Sequence, residues 1–77
     1  MADLAIGKYM AVRPVGDGWL VLTREGLTLG RVAWYARWKQ YEFLPATGSG
    51  YSAGCCRDMA AFLDKVTRER KAPGGGA

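Results

Sequence analysis

Histidine is missing from this sequence altogether. With it goes the side chain that most often titrates near neutrality, acts as a general base and ligates zinc. Cysteine is scarce: the two present, Cys55 and Cys56, are neighbours and cannot close a loop between them. The expectation is two free thiols packed as small apolar groups, outside any disulfide framework. Carboxylates such as Asp17, Glu25, Glu42, Asp58 and Asp64 are scattered along the chain rather than paired. Ser49, Ser52 and Cys55 are candidate nucleophiles with no histidine to activate them, and Gly48-Ser49-Gly50 is too short for a phosphate-binding loop. These gaps argue against an enzyme and imply no cofactor and no metal site. No apolar run approaches the ~20 residues needed to span a bilayer, and Met1–Gly7 carries no secretory pattern. The expected compartment is the cytoplasm, with no membrane partner.

Charge is modest as well. The net charge is +4, of which Lys65, Arg68, Glu69, Arg70 and Lys71 together supply +3, so the remainder of the chain is close to neutral. Bulk charge is therefore a weak argument for nucleic acid. With 77 residues and 49% hydrophobic content, the chain can form one domain with one small core. The expected stability is about 4–10 kcal/mol.

What the sequence has in excess lies between Arg31 and Leu44, where five of the nine aromatic residues fall: Trp34, Tyr35, Trp38, Tyr41 and Phe43. Arg31, Arg37 and Lys39 stand among them. Aromatic and β-branched residues suit a pleated, half-buried surface, so the stretch reads as a β-hairpin. A two-residue turn at Ala36-Arg37 would pair Tyr35 with Trp38, Trp34 with Lys39 and Val32 with Tyr41. One face then carries Val32, Trp34, Tyr41 and Phe43 and faces the core. The other carries Arg31, Ala33, Tyr35, Trp38, Gln40, Glu42 and Leu44. A slip of one residue would exchange the faces.

The flanking segments complete a small α+β fold. Lys8–Arg13 reads as a first strand, with Met1–Gly7 leading into it. Asp17-Gly18 supplies a tight turn into Trp19–Thr23, and Arg24-Glu25-Gly26 a second turn into Leu27–Tyr35. Trp38–Leu44 is the last strand and stops at Pro45. Gly30 reads as a bulge or a point of close backbone approach. After a loop from Ala46, Ser52 is a helix N-cap. Cys55, Met59, Phe62 and Val66 then recur at helical spacing, flanked by Cys56 and Leu63, with Arg57, Asp64 and Arg68 outward. Asp64 is one turn from Arg68 and can pair with it. The predicted architecture is a four-stranded antiparallel meander with one C-terminal helix across one face (ββββα). It forms a single domain over residues 1–71, with a disordered Gly-rich tail at 72–77.

One helix can cover only one face of such a sheet, yet the strands carry apolar groups on both. Leu20, Leu22, Trp38 and Leu44 oppose Trp19, Val21, Trp34 and Phe43. An uncovered apolar patch marks an interface, and Trp, Tyr and Arg are enriched at binding hot spots. The candidate partner-binding residues are Arg31, Tyr35, Arg37, Trp38 and Lys39. Two functions fit them: a protein-binding module, with a homodimer among its expected states, or a nucleic-acid-binding module that stacks bases on the basic-aromatic face. Free strand edges add a route to self-association.

The pattern Leu29-Gly30, Trp34-Tyr35, Arg37-Trp38, Tyr41, Phe43 and Pro45, followed by Ser52, Cys55-Cys56, Asp58 and Phe62, resembles a group of small phage and prophage proteins. The resemblance runs from Leu29 to Leu63, about half the chain. Cys56 stands where those proteins more often place leucine, which again suggests a packing role. The resemblance assigns a function to no residue. It implies a mobile-element origin, a host-cell cytoplasmic setting and a host protein or nucleoprotein complex as partner, in the manner of an anti-CRISPR inhibitor. Because many such inhibitors are acidic DNA mimics and this chain is basic, mimicry of DNA is disfavoured.

Overall fold

A computed structural model describes residues 3–71. The expected disorder of 72–77 falls outside the described residues. The described chain runs through five strands and a helix: β1 (Leu4–Ile6), β2 (Met10–Val15), β3 (Gly18–Thr23), β4 (Thr28–Tyr35), β5 (Gln40–Pro45) and α1 (Ala53–Lys71). The strands form one antiparallel sheet in chain order. The α+β class, the antiparallel meander and the C-terminal helix are as predicted, but the sheet has five strands rather than four. The additional strand is Leu4-Ala5-Ile6, which pairs with Val12, Ala11 and Met10. Three residues are too few to show a period of two, and leucine and alanine are poor strand signals. Pairing with β2 makes the segment a strand, and a bidentate contact from Arg13 to Asp3 secures its start.

The turns also differ from expectation in instructive ways. The β2–β3 turn is Gly16-Asp17 rather than Asp17-Gly18, with the positive φ (57°) at Gly16 and Gly18 already paired with Val15. Glycine at the first central position matches the twist of a two-residue hairpin. Gly18 meets a different demand: a Cβ there would strike the Val32 carbonyl. The β4–β5 turn holds four residues, Ala36–Lys39, closed by the Lys39 amide donating to the Ala36 carbonyl at 3.2 Å. Lys39 takes the left-handed conformation at φ 54°. Tyr35 thus pairs with Gln40, Trp34 with Tyr41 and Val32 with Phe43. The register moves by two residues, so side-chain parity is preserved and the expected faces survive.

Gly30 sits beside the predicted irregularity. The β3–β4 register shifts between Val21 and Leu22, where Val21 pairs with Gly30 and Leu22 with Thr28. A Cβ on Gly30 would meet the Leu44 carbonyl and the Phe43 ring. The extra residue, Leu29, has a carbonyl that accepts from the Ala46 amide (2.8 Å), the Ser49 hydroxyl (3.2 Å) and the Tyr51 hydroxyl. Those bonds fasten the loop before α1 onto the bulge, and Tyr51 packs edge-on against Phe43.

Ser52 caps α1 as expected: its hydroxyl accepts the Cys55 amide at 3.2 Å and its carbonyl accepts the Cys56 amide at 2.9 Å. Arg68, Arg70 and Lys71 in the last turn complement the helix dipole. Met59, Phe62 and Val66 are the buried helix residues, with Cys55 and Leu63 packed beside them. They meet Ile6, Met10, Val12, Val21, Val32 and Tyr41 from the sheet. Cys55 and Cys56 are free thiols, but Cys56 is exposed, which corrects its expected packing role. It lies on the shoulder of the stripe, one residue past the position that turns inward. Asp64 and Arg68 are both exposed and form no ion pair; the ion pairs among the described residues are Arg13–Asp3 and Arg70–Asp17.

The two sheet edges are unequal. Alternate amides of an edge strand point outward. On β5, that of Tyr41 donates to the Thr67 hydroxyl of α1 at 3.0 Å, and Pro45 has none to offer. The helix thus covers part of the last strand, which the sequence suggests is a free edge, and the Phe43 amide between these two positions stays open. β1 at the other end has no such cover.

Candidate functional site

The parity of the hairpin decides which tryptophan is structural. Trp34 faces the core, edge-on to Tyr41 at 5.1 Å, and the Arg70 guanidinium lies over its ring at 4.1 Å. Arg70 also donates to the Tyr41 hydroxyl at 3.1 Å, so the C-terminal turn of α1 holds this aromatic pair down. Trp19 joins them through edge contacts with Tyr41 and Phe62. Trp38 is the opposite case. It sits in the β4–β5 turn and is 64% exposed. Its one aromatic contact is Tyr35, edge-on at 5.0 Å and 88°.

The structure gathers Tyr35, Arg37, Trp38 and Lys39 at this turn, with the last three exposed and Tyr35 half-buried. Tyr35 braces the indole from the end of β4, and the exposed cations Arg37 and Lys39 are its neighbours in the chain. Arg31 stands apart. It lies on the same face as Tyr35 but four residues back along β4, about 13 Å away. There it forms part of a cross-strand row, Arg13–Leu20–Arg31–Leu44, in which cations alternate with leucines.

That row was only partly legible from sequence. Leu44 shares the expected outer face with Arg31, whereas Arg13 and Leu20 are brought in by β2–β3 and β3–β4 pairing. Ala11 and Leu22, opposite one another, are buried without belonging to the helix-side core. Leu20, Ala33, Tyr35 and Leu44 remain half-buried on the face away from the helix. Two shallow depressions of about 350 and 280 Å³ flank Arg31, and Leu20 lines both. Arg13 is held by Asp3 at 2.8 Å. That hydrogen bond lowers the Asp3 carboxyl pKa below its ordinary value and raises that of Arg13. Arg31, Arg37 and Lys39 make no ion pair with any described residue.

Among the described residues, no three of Asp, Glu and Cys gather in a group that could hold a metal ion. What the arrangement offers is contact: an exposed indole, cations next to it in the chain, and a shallow apolar face behind them. No α-helix among the described residues is long and apolar enough to cross a membrane. Comparison of the chain with protein-family models, with curated proteins and with solved structures gives no match.

Proposed function

We propose that this protein is a non-enzymatic binding module of mobile-element origin that docks on a host protein or nucleoprotein complex and inhibits it, in the manner of an anti-CRISPR protein. The observation that carries the binding role is Trp38, a large side chain held outward by Tyr35 with Arg37 and Lys39 beside it. An indole braced by a neighbouring ring has less freedom to lose on docking, and Trp and Arg dominate binding hot spots. The mobile-element origin and the host target rest on the resemblance of residues 29–63 to small phage proteins.

A nucleic-acid-binding role is the second reading, favoured by Arg13 and Arg31 lying on the same open sheet face as Tyr35. Affinity capture from host lysate, with and without nuclease, separates the two. Capture of a defence complex that survives nuclease supports the first reading; capture that nuclease abolishes supports the second. The combined Trp38→Ala and Arg37→Ala variant should lose the captured partner while keeping its far-UV circular dichroism. Retention of full binding by that variant would overturn the assignment of the turn.

A further inference from the structure

β1 forms one wall of a groove whose other wall is α1, lined by Leu4, Ala5, Gly7, Asp58, Ala61 and Lys65. Asp58 lies at its Gly7 end, where a Cβ on the glycine would strike the Asp58 carboxylate. Lys65 is two helical turns on, about 10 Å along the axis. That matches the ~10 Å from Gly7 back to Leu4, so Lys65 lies toward the Leu4 end. The groove therefore has a negative end and a positive end, with Ala5 and Ala61 midway along its two walls. Leu4 and Ala5 are exposed, and β1 is the edge that the helix leaves uncovered.

We propose that a second copy of this chain fills the groove. The two β1 strands pair antiparallel about a two-fold axis passing near Ala5 and Ala61, joining the sheets into one of ten strands. Antiparallel pairing brings the Gly7 end of each copy beside the Leu4 end of the other. Each Asp58 then faces the partner copy's Lys65, so the charge pattern is self-complementary, as an isologous interface requires. Small side chains at the axis let the backbones approach. The opposite edge offers less, because Thr67 occupies the Tyr41 amide and Pro45 lacks one, leaving the Phe43 amide between them. The pairing strands are short, so the dimer is weak and concentration-dependent. The Trp38 turn and the open sheet face remain uncovered in it.

The test is charge exchange, read by sedimentation equilibrium on the full chain across about 10–500 μM. The unaltered protein should rise from monomer toward dimer mass. Asp58→Lys alone and Lys65→Asp alone each set like charges across the axis twice, and should weaken association about tenfold or more. The two single variants mixed together should pair with one another, and the double exchange should pair with itself. Circular dichroism and a thermal melt establish that each variant is folded. Mixing keeps the test sound even where one substitution costs some stability, since a fold defect would not be repaired by the other chain. A monomer mass for the unaltered chain throughout the range, or a dimer indifferent to both reversals, would overturn the proposal.

Discussion

Single residues in this protein are assigned by neighbours more than by type. Trp34 and Trp38 are the same side chain four positions apart, yet one is pinned under Arg70 and the other stands in solvent. Phe62 shows what core placement is worth. It is 5% exposed and edge-packed on Trp19 at 5.3 Å. Phe62→Ala should cost about 3–5 kcal/mol, the usual range for deleting a buried aromatic. Arg57→Ala, on the exposed side of the same helix, should cost under about 0.5 kcal/mol. Paired urea titrations would check this, and equal midpoints for the two variants would mean that α1 is not docked through Phe62. Cysteine placement follows the same logic: Cys55 turns partly inward, and Cys56, one residue later, does not.

At the scale of elements, the contact between α1 and the edge of β5 does two jobs. Thr67 satisfies an outward amide and also removes that donor from the edge another chain could pair with. Thr67→Val keeps the shape and removes the acceptor, so it should cost about 1–2 kcal/mol and speed exchange of the Tyr41 amide relative to its sheet neighbours. Unchanged Tyr41 exchange would show that the bond is not made in solution. The hairpin shows how an element can be right in part. Its strands and faces follow from alternation, but the turn length depends on Lys39 adopting a conformation that a lysine seldom takes. β1 is the converse: it is invisible as a pattern and exists because Met10, Ala11 and Val12 are there to pair with it.

Across the whole molecule, the helix divides the surface into a sealed face and an open one. The basic last turn of α1 lies over Trp34 on the helix side, while Arg13 and Arg31 lie on the other. The +4 charge is thus spread rather than concentrated. Docking anchored by Trp38 with a cation on either side should depend only weakly on salt. Affinity for the captured partner should fall by less than about tenfold between 50 and 200 mM salt, where a site making six or more phosphate contacts would lose about a thousandfold. Titrations at those two concentrations check it, and a steep loss would transfer the function to nucleic acid.

The sequence by itself determined the α+β class, the capped amphipathic helix and the inward parity of Val32, Trp34, Tyr41 and Phe43. Each is a local matter of period, propensity or capping, and a two-residue register shift leaves parity unchanged. Tertiary structure decided the rest. It recruited Leu4–Ile6 as a fifth strand, covered part of one sheet edge with Thr67 and left the other open. It also aligned Arg13, Leu20, Arg31 and Leu44 into one row although they lie up to 31 positions apart. Those outcomes depend on which strands become neighbours, and strand pairing is a long-range choice that no short window of sequence contains.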